Sequence, residues 1–567
     1  MSSNVFRPAG VEIKYNVKMP MSDGVTLSGD IYFPSGRSGP VPALLSRTPY
    51  DNMADAGIES AIYFAQHGYA YVLQDVRGRN DSDGDWYPWV NEFQDGHDSI
   101  EWIGSQEWCD GNVGMDGSSY VGNVQWFAAM EGSSYLKCIA PRVIGDNLHE
   151  APHYQGGAFL LGFSTTWAFW AAEGRVWQNI DQYNWPQMLQ ALPLKDLARQ
   201  GGKEIKFYQD WLAHPDYDDF WKGQAVKERF QDIKVPILQF GGWYDFFTAG
   251  TFNNFTGMQE KGGSALARSN QQVVVGPWLH SIGRDSHAGD ADFTMGSMED
   301  TKARRLKWFD HWLKGIDNDV EKEPPLRLWV MGDNEWRNEN EWPLARTQFT
   351  PYYFHSEGSA NTLLGDGILS TQSPTREEQS DRYDYNPAFP TPTLGGNTCC
   401  RDDLIPGGGF DQREVEMRSD VLVYTSEPLK QDLEVTGPVI VKLYASTDGR
   451  DTDFTGKLTD VDPDGRSVNL CDGIIRGRYR ETTEKQVLLQ PGSVYEFTID
   501  LWPTSNVFKK GHRIRVDISS SNFPRFDRNP NTGDTFGENA ELRIAKQQVL
   551  HSSIHPSHII LPVIPRG

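Results

Sequence analysis

Cysteine is scarce in this chain. Only five occur in 567 residues (Cys109, Cys138, Cys399, Cys400 and Cys471), and no C-x-x-C pair exists. That usage argues against a disulfide framework or a zinc ribbon. It fits a reducing compartment, so the cytoplasm is the expected location. Positive charge is also short: 53 Lys and Arg face 77 Asp and Glu, a formal net charge of −24, with no basic run. Nucleic acid and anionic membrane surfaces are therefore disfavoured partners, because holding phosphate needs clustered Lys and Arg. No stretch approaches a membrane-spanning length of apolar residues, and the first residues lack a basic segment followed by an apolar one. Neither a span nor a leader is expected. The chain has no H-E-x-x-H, no P-loop and no G-x-G-x-x-G after a strand, so no metal and no cofactor is implied. Asp460-x-Asp462-x-Asp464-Gly465 begins like a calcium loop, but Cys471 stands where a Glu is needed and Pro463 stiffens the segment. It reads as a hairpin turn.

What is abundant is aromatic. Aromatic residues make up 12% of the chain, including 19 Trp, and hydrophobic residues 38%. That composition supports large cores, and the length suits two to four domains. Residues 1–146 alternate short apolar strands (Pro42 to Leu45, Ala70 to Leu73, Val113 to Met115, Cys138 to Ala140) with helical stretches. This is the signature of a parallel sheet covered on both faces, an α/β core. Over 147–231 the rhythm gives way to a helical, Trp-rich segment that reads as an inserted cap. Strands resume at Val235 to Phe240 and at Gln272 to Val275, placing 232–347 back in the core. Ala303 to Lys314 is an amphipathic helix in which Leu306, Phe309, Trp312 and Leu313 share a face before Gly315. From 348 to 567 short strand-like runs are punctuated by Gly, Pro, Asn and Asp, which reads as a β-sandwich or jelly roll.

Chemistry concentrates at Gly114-Met-Asp-Gly-Ser-Ser119-Tyr-Val-Gly122. A strand that runs into a glycine-flanked serine, followed by a helix, is the layout of a nucleophile elbow. The glycines stand two before and three after Ser119, so the G-x-S-x-G spacing is met on one side only. A Gly/Ser turn without chemistry is the alternative. A serine nucleophile needs a base, and the base an orienting acid, in the chain order Ser, Asp or Glu, His. The strand ending near Phe240 leads into Gly241-Gly-Trp-Tyr-Asp245, and the strand ending near Val275 into Gly276-Pro-Trp-Leu-His280. Asp245 and His280 are thus the partners of Ser119. His287, in a polar loop, is the rival base. An oxyanion hole needs two donors. One is the backbone N–H of Tyr120. The loop Arg47-Thr-Pro-Tyr50-Asp51 has no glycine run, so the Tyr50 hydroxyl is the natural second donor, with a packing role as its alternative.

These stretches, with Asp75-Val-Arg-Gly-Arg79, Trp108-Cys-Asp-Gly-Asn112, Ser519-Ser-Ser-Asn-Phe-Pro524 and Arg528-Asn-Pro-Asn-Thr-Gly533, resemble the CocE/NonD acyl-esterase family. That family is related to X-Pro dipeptidyl peptidases and α-amino-acid ester hydrolases. The resemblance covers nearly the whole chain. It implies an α/β-hydrolase core with a helical cap and a C-terminal jelly roll. It also implies the triad Ser119, Asp245 and His280, the oxyanion donors Tyr120 and Tyr50, and a small-molecule ester as partner; homo-oligomer formation is compatible with it. In the amino-ester branch carboxylates follow the triad Asp, two and three residues on; here Phe247 and Thr248 stand there. A buried ammonium without a counter-charge is costly, so uncharged aromatic or short aliphatic acyl groups are expected, with Phe247 in the acyl pocket. Cap-side Asp146 and Glu150 are the other carboxylates that could reach a substrate ammonium. Trp167 resembles a position that packs on the acyl group; cap core is its alternative. The resemblance also brings Cys399 and Cys400 near the pocket, where no redox role is expected. The expected function is a serine hydrolase of carboxylic esters. An amidase or X-Pro dipeptidyl peptidase on the same triad is the runner-up, and a jelly-roll binding protein with a vestigial site is the non-enzyme alternative.

Overall fold

A computed structural model describes residues 8–566 except residue 173. Its first sheet opens with a hairpin, β1 (Val11–Pro20) and β2 (Thr26–Pro34). It continues through β3 (Val41–Thr48), β4 (Ala70–Asp75), β5 (Cys109–Ser118) and β6 (Leu136–Arg142). After an insertion come β7 (Ile237–Gly242), β8 (Gln271–Gly276), β9 (Leu326–Val330) and β10 (Glu335–Glu339). The spatial order is β1-β2-β4-β3-β5-β6-β7-β8-β9-β10. From β4 to β9 neighbours run parallel, while β1, β2 and β10 close the edges antiparallel. Every residue of β4, β7 and β8 is buried, as expected where helices cover both faces. In such a sheet the carboxyl ends of the strands, with the loops that leave them, form one functional edge.

The covering helices include α1 (Asp55–Gln66), α2 (Glu92–Gly104) and α3 (Tyr120–Glu131). The insertion between β6 and β7 spans 143–236 and carries α4 (Leu161–Ala171) and α5 (Lys206–Ala213). Two further core helices follow, α6 (Thr248–Lys261) and α7 (Thr301–Lys314). The Asp300 carboxylate caps α7 at Ala303 N–H, and Gly315, in the left-handed region at φ 67°, ends it. The buried face of α7 differs from the pattern-based one. Arg305 and Trp308 join Phe309 and Leu313 inside, while Leu306 and Trp312 are only half-buried. Arg305 turns inward because it meets the buried carboxylate of Asp116 on β5.

Beyond residue 347 the chain is β apart from a one-turn helix at Arg413–Glu416 and a 3-10 turn at Gly477–Tyr479. Eleven strands form one hydrogen-bonded network around Leu433–Thr447, which pairs with Tyr495–Phe508 and His558–Ile564. Over Pro438 to Ala445 alternate residues of that strand are buried, the two-residue period of a face packed on a core. The calcium-like motif is the turn between Asp453–Val461 and Ser467–Arg476. Asp462 Oδ1 accepts the N–H groups of Asp464 and Arg466, each at 2.9 Å. Its carboxylate serves the turn's own backbone. Among the described residues no helix is long and apolar enough to cross a membrane.

Candidate active site

Ser119 sits between β5 and α3 at φ 60°, ψ −129°. A non-glycine residue in this region is strained and must be over-determined by its surroundings. Here its N–H donates to Arg142 O at 2.9 Å, and its own carbonyl accepts from Gly122 and Asn123. Gln125, one turn into α3, donates to Gly117 O at 3.2 Å and accepts from Ala140 N–H at 3.1 Å. A Cβ on Gly117 would collide with Val121, and one on Gly122 with Ile144 and Arg142. The glycine spacing that departs from the usual elbow therefore meets two local close approaches, at its own two positions.

Asp245 lies just past β7 and is fully buried. Its Oδ2 is 2.5 Å from His280 Nδ1, and its Oδ1 accepts from Phe247 N–H at 2.9 Å. The loop is held from the jelly roll: Asn397 Nδ2 donates to Trp243 O at 2.8 Å and to Asp245 O at 3.2 Å. Thr248 turns its hydroxyl back onto the carbonyls of Gly242 and Asp245. His280 follows β8. With Nδ1 committed to Asp245, Nε2 is the nitrogen left for proton transfer. Phe246 and Phe247 pack against the imidazole, with ring centroids at 5.5 and 5.9 Å. His287 is exposed beside Asp285 and Asp292, away from this arrangement.

Tyr120 is the first residue of α3, so its N–H has no intrahelical partner. The residue is locked through its side chain: the phenol donates to Glu92 Oε1 at 2.8 Å and accepts from Trp89 N–H at 2.9 Å. Glu92 in turn pairs with fully buried Arg47 at 2.7 Å. Tyr50 stacks on Trp177 with centroids 4.7 Å apart. Burial raises its phenol above the usual value, and the Trp167 and Ser119 side chains facing the hydroxyl pull it part of the way back. The preceding backbone is clamped: Pro49 O accepts from Arg79 Nε and Trp177 Nε1, both at 3.1 Å.

Ser119 and His280 line one cavity of about 320 Å³, together with Tyr50, Trp167, Phe163 and Trp170. Trp167 also stacks on Trp89, centroids 5.5 Å apart; it is at once cap core and cavity wall. Phe247 is not part of this wall. It lies behind His280 in an apolar group with Phe246, Ala151, Cys399 and Trp502, and Phe163 of the cap takes the wall position expected of it. Asp146 and Glu150 line a separate cavity of about 240 Å³ with Lys227 and Asp500, where burial pushes Glu150 up to about 7. Among the described residues, the carboxylate that does reach the Ser119 cavity is Asp51, exposed at its rim, in the loop already singled out for Tyr50. Arg142, at the end of β6, is a second charged wall residue that sequence reading missed, because nothing in a strand's pattern marks which terminal side chain faces a cavity.

Cys399 and Cys400 are paired as a disulfide. Joining neighbours, the bond closes no long loop and adds little chain-entropy stabilisation. Cys400 lines the cavity, and ligand atoms of His280, Cys399 and Cys400 lie within 4.8 Å of one another. The three other cysteines are free and buried.

Comparison with known proteins places the chain in a family. Residues 23–282 match the X-Pro dipeptidyl-peptidase family (S15 family), and 318–560 the X-Pro dipeptidyl-peptidase C-terminal non-catalytic domain. A cocaine esterase from Rhodococcus sp. (strain MB1 Bresler) is 40% identical over 97% of this chain and 98% of its own. Among solved structures, an aminopeptidase from a marine sediment archaeon, Thaumarchaeota archaeon, is similar at a TM-score of 0.86 and 27% identity, covering 98% of this chain and 97% of that one. An α-amino acid ester hydrolase is similar at a TM-score of 0.84 and 28% identity, covering 99% of each chain. The chain belongs to the CocE/NonD acyl esterases of the X-Pro dipeptidyl-peptidase S15 family and is a serine carboxylic ester hydrolase.

Proposed function

We propose that the chain cleaves small carboxylic esters with uncharged acyl groups through an acyl-enzyme on Ser119. The observation that carries this reading is the 2.5 Å contact between His280 Nδ1 and buried Asp245, with His280 and Ser119 on one cavity wall. His280 Nε2 takes the proton of the Ser119 hydroxyl as Oγ attacks the ester carbonyl. The oxyanion that forms is held by Tyr120 N–H and the Tyr50 hydroxyl. Collapse of the tetrahedral species expels the alcohol, which receives the proton from His280. Water then repeats the cycle on the acyl-enzyme. Asp245 holds the imidazole in the required tautomer and stabilises its cation.

Tyr50→Phe tests the second oxyanion donor. Loss of the hydroxyl is expected to lower kcat by roughly 10²- to 10³-fold with little change in KM. Steady-state kinetics on a p-nitrophenyl ester would measure it; wild-type rates would return Tyr50 to a packing role.

A peptidase reading is favoured by the names of several relatives, and it requires a site for a substrate ammonium. Among the described residues, the acid on the cavity wall is Asp51, which is exposed, and an exposed carboxylate compensates a desolvated ammonium weakly. Phenylacetate methyl ester is therefore expected to exceed phenylglycine methyl ester by roughly 10²-fold in kcat/KM at a pH where the amine is charged. Equal or better turnover of the amino ester would make Asp51 an ammonium anchor and favour the peptidase reading.

A further inference from the structure

The wall of the Ser119 cavity contains more positive charge than the fold needs. Asp116 is fully buried on β5 and receives two guanidiniums, Arg142 Nη1 at 2.5 Å and Arg305 Nη1, together with the Tyr71 hydroxyl at 3.0 Å. One carboxylate against two guanidiniums leaves a net charge of +1 in a buried cluster. Arg305 and Tyr71 already serve Oδ2 of Asp116. The two arginines hold Asp116 down at about 2 despite its burial, so it stays charged and offsets one of the two guanidiniums.

Arg142 is the member of this cluster that faces open space. It lines the cavity, 14% of its side chain is accessible, and among the described residues the one hydrogen bond of its guanidinium is to Asp116. Its other N–H donors are not sealed into the protein. The same cavity is lined by the hydroxyl residues Ser46, Thr48, Ser60 and Tyr71, alongside apolar Ala56, Leu73 and Val121. The cap side of the same cavity is aromatic, with Phe163, Trp167 and Trp170. A chain of net charge −24 repels small anions at long range. A guanidinium with free donors on a cavity wall is thus a local exception that a carboxylate matches in charge and planar geometry.

We propose that the alcohol portion of the ester carries a carboxylate, held by Arg142, while the uncharged acyl group occupies the aromatic cap side. The substrate class is thereby narrowed to acyl esters of hydroxycarboxylic acids. This rests on Ser119 being the esterolytic nucleophile. Asp51 at the rim opposes the anion, but it is solvated, whereas the Arg142 cluster is buried.

The test uses matched esters of the whole protein: phenylacetyl esters of 3-hydroxybenzoate and of 3-hydroxybenzamide. For wild type the carboxylate ester is expected to exceed the amide by about tenfold or more in kcat/KM. In Arg142→Gln that ratio should fall to near one. Because the variant perturbs a buried ion cluster, product inhibition of wild type gives an independent reading: 3-hydroxybenzoate should inhibit about tenfold more strongly than 3-hydroxybenzamide. Equal rates and equal inhibition in wild type would overturn the proposal, as would a ratio unchanged in Arg142→Gln. A third arm compares monophenyl glutarate with phenyl glutaramate; a carboxylate preference confined to this acyl-side pair would also overturn it. Turnover of the neutral amide ester reports separately on the Ser119 site, so failure of that reading is distinguishable.

Discussion

Ser119→Ala is expected to lower kcat for a p-nitrophenyl ester by roughly 10⁶-fold while leaving circular dichroism and the thermal transition unchanged. The serine holds an unusual backbone conformation that the neighbouring hydrogen bonds impose: Arg142 O takes its N–H, and Gly122 and Asn123 donate to its carbonyl. None of these uses Oγ, so removing the hydroxyl leaves the elbow intact. What disappears is the atom that becomes acylated. Residual catalysis from the oxyanion donors is limited to what positioning and electrostatics supply without a nucleophile. More than a few per cent of wild-type activity in a correctly folded variant would show that another group carries the reaction.

Asp245→Asn is expected to lower kcat by roughly 10⁴-fold with KM little changed. An amide can still accept Phe247 N–H at the position Oδ1 occupies, so the loop should hold. At the other position, facing His280 Nδ1, an amide either donates where a donor already stands or flips and loses the Phe247 contact. The imidazole then settles in the wrong tautomer, and its cation loses the buried counter-charge. Kinetics should show the loss in kcat, and a crystal structure or nuclear magnetic resonance of the ring should show the altered tautomer. A decrease below tenfold would mean that Asp245 only fills space behind His280.

Most of the core was legible because its signals are local. Apolar runs at β3, β5, β7 and β8 end in loops that carry Tyr50, Ser119, Asp245 and His280, and a parallel sheet gathers such loops at one edge. The edge strands were not legible. β1 is largely exposed and polar, and β10 has the burial of a solvent-facing edge, so neither shows the continuous apolar run of a central strand. The walls of the cavity were legible only in part. Trp167 was found, but Phe247 was placed there when it packs behind His280, because adjacency in sequence to Asp245 does not say on which side of the imidazole a ring lies. Phe163, Asp51 and Arg142 depend on how the cap, the β3 loop and the end of β6 converge. That convergence is set by long-range contacts such as Arg79 to the carbonyls of Ala171 and Gly174, which leave no trace in local spacing. Arg305 was missed for a related reason: a cation in an otherwise apolar helix pattern reads as solvent-facing until its buried partner Asp116 is known.

The most direct measurement is the position of a covalent adduct. Ser118 and Ser119 both line the cavity, so the chain offers its own internal control. After reaction with a fluorophosphonate, tandem mass spectrometry of the peptide that spans Gly114 to Gly122 should locate one phosphonyl group on Ser119, with labelling abolished in Ser119→Ala and competed by a slowly hydrolysed phenylacetyl ester. A label on Ser118, on another residue, or on none while ester turnover persists would contradict a Ser119 acyl-enzyme.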